Sequence, residues 1–348
     1  METDKIMVET LIWNVLLFSN MHKNYNFCQL NRCNNLDFSL DDYRNNYFTS
    51  KDHDKILDFY NSFTTRDEII DWMKRRPEGN CSIIEVGGNK DVIVVIPTMD
   101  ADSKLARNCK ENIFKGLHII FVESGYDNLY FNYAHNCNIG IRRAMEYNPK
   151  WVVISNDDMY QIDKVEILLN KLSLLDNNQI FMVLTKEPGL LHSLTEHLGE
   201  STPMRRFLTL ILPKTREKYQ IEKKFNLKFV SWRDWYRKWL TRLIYRELTS
   251  VRSTYAFGIF SGNYILKSGP FFFDEIYQNG YEDIDISLST KIAQAGIDLI
   301  NYRIGSYSAT SLGTGEFRIL QEIANRIHFE SKFMEQLYKI HEEEALNG

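Results

Sequence analysis

The chain has 348 residues, of which 44% are hydrophobic and 25% are charged, and its formal net charge at pH 7 is -4. This composition is that of a globular protein with a sizeable core, so it argues against a disordered or fibrous chain. The charge excludes the overall positive balance typical of nucleic-acid-binding proteins. Nucleic acid is therefore not an expected partner.

The five cysteines form no CxxC pair and are odd in number, which favours a reducing compartment over a disulfide framework. We therefore expect a cytoplasmic location. The most apolar N-terminal run, from Ile6 to Phe18, is interrupted by polar residues and has no small-residue cleavage site. We expect it to be a packed or interfacial helix, and neither a signal peptide nor a membrane span.

The predicted elements begin with helical patterns up to about Pro77, one of which has Thr65 as its expected N-cap. The runs Ser82–Val86 and Val92–Ile96 flank the turn residues 87–90 and predict strand, turn, strand. Strands and helices alternate from there, with further strands at 118–122, 151–155 and 180–184 and helices at 102–113, 133–146 and 162–174. Such alternation predicts a parallel sheet covered by helices on both faces.

The alternation lapses between about Glu187 and Arg252, where fourteen basic residues stand against four acidic ones from Arg205 onward. A strand at 256–260, a turn at Gly262, a helix from 281 to about 295, a strand at 298–302 and an amphipathic helical tail at 316–344 complete the prediction. The predicted organisation is a mainly helical accessory region (1–85), an α/β domain (86–310) with a basic helical insertion (about 187–252), and a C-terminal helix (311–348).

Polar residues directly follow three of the predicted strands. They are Pro97-Thr98, Glu123-Ser124-Gly125 and Asn156-Asp157-Asp158. Ligands of such α/β sheets bind beyond the carboxyl ends of the strands. The sequence therefore predicts one site at one edge of the sheet.

These strand ends belong to a longer ordered series of motifs. The series contains a strand ending in Pro-Thr (Val92–Thr98), a strand ending in an acid (Phe121–Gly125), an Asn-x-Gly-Ile on a helix (Asn138–Ile141) and a strand ending in a DxD-like motif (Ile154–Asp158). In this order the motifs resemble those of family 2 inverting glycosyltransferases. Gly280-Tyr281-Glu282-Asp283-Ile284-Asp285 is similar to the family's Glu-Asp motif. The resemblance covers roughly residues 91–305 and implies a GT-A fold, a Rossmann-like mixed sheet with helices on both faces.

The resemblance implies transfer of a sugar from a nucleoside diphosphate donor, with a uridine diphosphate type favoured, to a hydroxyl of a glycan, a lipid-linked acceptor or a protein. Asp158 and Asp157 are expected to hold Mn²⁺ or Mg²⁺, cations that need only one or two protein carboxylates. Asp283 is expected to be the catalytic base, with Glu282 positioning the acceptor. The residues expected to contact the nucleotide sugar are Pro97, Thr98, Glu123, Asn138 and Asp157.

The chain departs from the family pattern in four respects. Asn156 replaces one carboxylate of the DxD-like triplet, Glu123 replaces an aspartate, and Cys137 stands where many relatives have an arginine. The segment Gly305–Ser311 contains no histidine to serve as a third metal ligand. Two other functions stay open: a sugar-nucleotide-binding relative without turnover, and a nucleotidyltransferase. The second would be expected to carry a glycine- and lysine- or arginine-rich loop after its first strand, which residues 97–102 lack.

Within the basic insertion, aromatic and aliphatic residues recur at helical spacing from Trp232 to Ile244, with cationic residues on the other faces. The pattern predicts a basic amphipathic helix. It could pack on the α/β domain, lie on an anionic membrane surface within reach of lipid-linked acceptors, or bind an acidic or phosphorylated acceptor. Basic and aromatic residues also suit nucleic acid, but no nucleic-acid motif accompanies them.

Overall fold

The computed structural model describes residues 53–126, 128, 130–185, 191–193, 213–227, 252–254, 256–292, 296–307 and 320–333. The strands are β1 (Ser82–Val86), β2 (Asn89–Thr98), β3 (Leu117–Glu123), β4 (Trp151–Ser155), β5 (Met159–Gln161), β6 (Ile180–Thr185), β7 (Leu191–Ser193), β8 (Arg252–Thr254), β9 (Phe257–Ser261), β10 (Gly296–Ile300) and β11 (Ile304–Ser306). The helices are α1 (His53–Ser62), α2 (Arg66–Lys74), α3 (Lys104–Asn108), α4 (Tyr133–Met145), α5 (Val165–Ser173), α6 (Pro213–Lys224), α7 (Gly262–Ser268), α8 (Glu282–Ile292) and α9, which is described over residues 320–333. A π-helical turn, Cys109–Ile113, continues α3.

Seven strands form one mixed sheet in the order β1-β3-β2-β4-β9-β6-β10. β2 is parallel to both β3 and β4, and β6 is parallel to β10, whereas β1 and β9 run antiparallel to their neighbours. The four strands of the alternating pattern, β2, β3, β4 and β6, all run in the same direction, as predicted, and the antiparallel β1 and β9 make the sheet mixed. The predicted strand-turn-strand at 82–96 forms, but β1 pairs with β3, because β3 and β4 occupy both edges of β2.

Helices cover both faces of this sheet, as expected. On one face the apolar side chains of α3, its π-helical turn and α5 pack on residues of β2 and β4 such as Val94 and Val153. On the other face α4, α7 and α8 pack on residues such as Val95 and Ile154. β4 is buried along its whole length and β2 from Val92 onward, because both faces are covered.

A separate apolar cluster joins segments far apart in the sequence. It contains residues of α1, α2, α6 and α9, and its largest fully buried side chain is that of Tyr60. The Tyr60 hydroxyl donates to the carbonyl of Leu320 at 2.6 Å and accepts from the amide of Ala324 at 3.1 Å. The helices α1 and α2 are thus packed against α9.

Thr65 caps α2 through a reciprocal capping box with Glu68, as its position predicts.

Two element predictions are wrong in detail. Gly262 was expected in a turn but begins α7, where a Cβ would lie 2.1 Å from the carbonyl oxygen of Pro149. Only glycine fits this close approach, so the residue reflects packing and not a turn. The helix expected from Ile162 begins at Val165, because residues 159–161 pair with β11.

Several predicted segments lie outside the described residues. They include the N-terminal run Ile6–Phe18, the amphipathic pattern Trp232–Ile244 and the tail beyond residue 333. Of the basic insertion, α6 and the short antiparallel pair formed by β7 with β8 are described. Within the predicted amphipathic tail, the apolar residues Leu320, Ile323 and Ile327 are buried on α9.

Candidate functional site at the carboxyl edge of the sheet

Three parallel strands bring the predicted polar residues to one edge of the sheet. Thr98 ends β2 and lies in register with Glu123 at the end of β3. β4 ends at Ser155, and Asn156, Asp157 and Asp158 follow directly. Because β2, β3 and β4 point the same way, their carboxyl ends meet as the sequence predicts.

The side chains of Thr98 and Asp157 are in direct contact at this edge. The hydroxyl of Thr98, which is only 4% exposed, donates to Oδ2 of Asp157 at 2.7 Å. Burial raises the pKa of Asp157 above its ordinary value, the hydrogen bond from Thr98 lowers it, and the neighbouring charge of Asp158 raises it further. The net result is a carboxylate whose charge is disfavoured until a positive partner compensates it.

Asp158 is held by hydrogen bonds from the last residue of β11 and from the residue that follows it. Its side chain accepts a hydrogen bond of 3.2 Å from the hydroxyl of Ser306, and its carbonyl oxygen accepts one of 2.9 Å from the amide of Tyr307. β5, which begins directly after Asp158, pairs antiparallel with β11 and thereby brings Ser306 there. Residue 158 is 3% exposed.

Sequence reasoning missed Ser306 and Tyr307. The segment after the last sheet strand contains no histidine, although its serine at position 306 does reach Asp158. The signal that could have identified Ser306 is its place in this polar segment. A three-residue strand such as β11 has too little periodicity to be recognised reliably.

Glu123 contacts the loop that follows β2. Its Oε2 accepts a hydrogen bond of 2.8 Å from the amide of Ala101. The amide of Ser124 donates to the carbonyl of Thr98 at 2.9 Å, which ties the ends of β2 and β3 together. Pro97, also predicted at the site, is buried in β2 opposite Val122. The described contacts of Glu123 therefore shape the loop beside the carboxylates.

Asn138 lies away from this edge. Its side chain is fully buried on α4, where it donates to the carbonyl of Phe273 and to Glu275 Oε1 at 2.8 Å each and accepts from the amide of Phe273 at 2.8 Å. The structure thus brings Asn138 together with residues 273–275, and not with Thr98, Asp157 or Asp158. Its hydrogen-bonding groups serve to attach that segment to α4.

Glu282 and Asp283 occupy the first turn of α8, on the sheet face covered by α4 and α7. Asp283 lines a small cavity that holds at most about one water molecule. The other lining residues are Tyr133, Ile154, Phe257, Gly258, Phe260 and Phe273. Glu282 is 7% exposed. Ile154 lies one residue before the end of β4, on the sheet face opposite α5. Because Asp283 lines the same cavity as Ile154, it lies near the carboxyl end of β4 on that face.

The donor set at the edge suits a hard divalent cation in part. Asp157 and Asp158 are adjacent carboxylates, each oriented by a hydroxyl, and Mg²⁺ or Mn²⁺ needs only one or two such groups beside phosphate and water oxygens. Within the part of the chain that the structure describes, no group of three or more His, Cys, Asp or Glu residues is placed to hold a metal ion. A cation bound here would therefore share its coordination with the ligand.

Comparisons with models of known protein families and with curated proteins return no match to this chain. The function must accordingly be inferred from the site. In the described ranges no helix combines the length and apolar character that a membrane crossing requires. The predicted membrane-facing helix at 232–244 lies outside those ranges.

Proposed function

We propose that this chain is an inverting, metal-dependent glycosyltransferase of the GT-A type, which moves a sugar from a nucleoside diphosphate donor to an acceptor hydroxyl. The observation that carries the proposal is the meeting of Thr98, Glu123, Asp157 and Asp158 at the carboxyl edge of three parallel strands. The mixed sheet covered by helices on both faces is compatible with a GT-A arrangement. The resemblance of the motifs in that order supports the same assignment.

Asp158 and Asp157 would hold the Mn²⁺ or Mg²⁺ ion, which when bound stabilises the negative charge that develops on the diphosphate leaving group. The chain supplies the orientation of both carboxylates through Thr98 and Ser306. The raised pKa of Asp157, caused first by burial, supports a cation at this position. A nearby positive charge would offset the cost of two adjacent, poorly hydrated carboxylates.

On the acceptor side, Asp283 would remove the proton of the acceptor hydroxyl. The acceptor oxygen forms the new bond to the anomeric carbon while the bond to the diphosphate breaks, and the leaving nucleoside diphosphate takes the bonding electron pair. Since attack occurs opposite the leaving group, the configuration inverts. Asp283 lies in the first turn of α8, where a helix N-terminus stabilises negative charge.

The test is release of nucleoside diphosphate from a panel of uridine, guanosine and other nucleoside diphosphate sugars, with Mn²⁺, Mg²⁺ or EDTA and a pool of glycan, lipid-linked and protein acceptors. We expect metal-dependent release that Asp158→Ala and Asp283→Asn each abolish. The matched control is Asp91→Asn, which removes an exposed carboxylate paired with Lys150 outside the site. It should retain wild-type turnover.

Other outcomes would refute the transferase. Tight binding of a sugar nucleotide without transfer or hydrolysis would identify a binding protein. Release of pyrophosphate from a nucleoside triphosphate would identify a nucleotidyltransferase. If no sugar nucleotide of the panel is bound or turned over, the proposal of a nucleotide-sugar site is refuted.

A further inference from the structure

The last nine residues before α8, here called the strap (residues 273–281), are held from two sides. On the first side lies α4. Asn138 bonds the backbone of Phe273, and the amide side chain of Asn132 donates to the carbonyl of Glu275 at 2.8 Å. The ring of His135 lies 2.9 Å from the carboxylate of Glu275. The strap therefore cannot shift along α4 without breaking several buried hydrogen bonds.

On the second side lies α9, from the far end of the chain. The amide of Gln278 donates to the side chain of Asn325 at 2.7 Å, and the Asn325 amide group returns a hydrogen bond of 3.2 Å to the carbonyl of Gln278. His328 Nε2 lies 2.9 Å from Oδ2 of Asp274. These hydrogen bonds join the strap to residues of α9 that lie about fifty positions later in the sequence.

Lys332 connects this clamp to α8 itself. Its ammonium group lies 2.9 Å from Asp274 on the strap and 2.6 Å from Asp285 on α8, and Asp285 also accepts a hydrogen bond of 2.8 Å from the hydroxyl of Tyr277. The side chain of Lys332 is 14% exposed, and that of Asp285 is 6% exposed. Although burial raises it, Lys332 and then His328 lower the pKa of Asp274 below its ordinary value. The cation thus serves both carboxylates away from solvent.

The clamp also holds an unfavourable backbone conformation directly before the candidate base. Tyr281 has φ of 77°, and Asn279 has φ of 52°. A bulky residue such as tyrosine rarely adopts this region, and such conformations persist only where the surroundings fix them. Tyr281 is followed immediately by Glu282 and Asp283, so the same constraint sets where α8 begins.

We propose that Lys332 is a positioning residue, through which α9 fixes the first turn of α8 and hence the carboxylate of Asp283. This inference rests on the proposed function only for the role of Asp283. The mechanical coupling of α9 to α8 stands apart from it. A displacement of about 1 Å at a catalytic group can reduce a rate by about a hundredfold, so loss of this cation should reduce the turnover of the folded protein. Stability should fall as well, because Asp274 and Asp285 are left buried without their shared cation.

The experiment compares Lys332→Met with the wild type in two measurements. We expect kcat for nucleoside diphosphate release to fall by about ten- to a hundredfold with little change in KM for the donor. We also expect amide hydrogen exchange to accelerate more in residues 276–288 than in the central strands. Lys332→Arg, which keeps the charge, should recover most of both properties.

The matched control is Tyr60→Phe, which removes the hydroxyl that ties α9 to α1 while leaving the strap contacts in place. It should lower the melting temperature without the local exchange effect or the fall in kcat. A Lys332→Met variant that loses stability like Tyr60→Phe, with unchanged kcat and uniform exchange, would overturn the proposal. If the wild type turns over no donor, the proposed function fails, and the exchange pattern alone still decides whether Lys332 couples α9 to α8.

Discussion

The hydroxyl of Thr98 donates a hydrogen bond of 2.7 Å to Asp157, 59 residues later in the chain. Thr98 ends β2, and Asp157 follows the end of the neighbouring parallel strand β4. Their contact joins the residue expected at the nucleotide to a carboxylate expected at the metal. Predictions about this edge can therefore be tested on one pair of side chains.

Thr98→Val should weaken binding of Mn²⁺ in the presence of nucleoside diphosphate. Valine keeps the shape but removes the donor, so the Asp157 carboxylate loses a hydrogen bond to a charged group, worth roughly 1.5–3 kcal/mol. We expect the dissociation constant measured by calorimetry to rise at least severalfold. Ser124→Ala, which removes a neighbouring hydroxyl that donates to a backbone carbonyl, is the control and should leave binding nearly unchanged. Equal affinities of wild type and Thr98→Val would contradict the role given to this bond.

Asp157→Asn should stabilise the metal-free protein at neutral pH. Burial first, and then the charge of Asp158, raises the folded-state pKa of Asp157, so its ionisation opposes folding above that pKa. The stabilisation should shrink as the pH falls through the folded pKa towards the ordinary aspartate value of about 3.9, because both states then bind the proton. Thermal unfolding from pH 7 to pH 3 measures this difference. A variant less stable than the wild type throughout the range would contradict it.

His135→Gln should lose stability in a pH-dependent way. The hydrogen bond to Glu275 raises the pKa of His135 above the ordinary 6.5, burial opposes it, and the charge of Glu275 adds to the rise. Because the folded pKa is raised, this contribution is fully present below pH 6.5 and is lost as the pH rises through the folded value. The wild type should therefore exceed the variant most at about pH 6 and least at high pH. A difference that grows with pH would have the wrong sign. Chemical denaturation at a series of pH values provides the comparison.

Gly140→Ala should destabilise the fold by about 1–3 kcal/mol, the usual cost of overpacking a core. A Cβ at residue 140 would lie 2.3 Å from Cγ1 of Val95 and 2.9 Å from Val122, so α4 could not keep its present distance from β2 and β3. Urea denaturation measures the loss. The double variant Gly140→Ala, Val95→Ala removes the nearest clash and should be less destabilised than the sum of the two single changes predicts. Strict additivity would mean that the two side chains do not meet.

Local patterns in the sequence were sufficient for most of the sheet. The β-branched runs that became β2, β3, β4 and β6, and the polar residues that follow three of them, were predicted close to their observed positions, because buried strands leave a continuous apolar signal. The capping residue Thr65 was also identified, since capping depends on neighbours three residues away. The gathering of Thr98, Glu123 and Asp157 at one edge followed from the parallel order of their strands.

The tertiary structure decided what depends on distant partners. The direction of β9, the pairing of β1 with β3 and the helical role of Gly262 follow from which edges and surfaces are free once the core has assembled. Ser306 reaches Asp158 only because β11 pairs with β5, and Lys332 reaches Asp285 only because α9 packs on the strap. Periodicity reports which face of a segment is buried, but it carries no information about the segment that buries it. That choice is made by packing and by the pairing of buried charges across the whole chain.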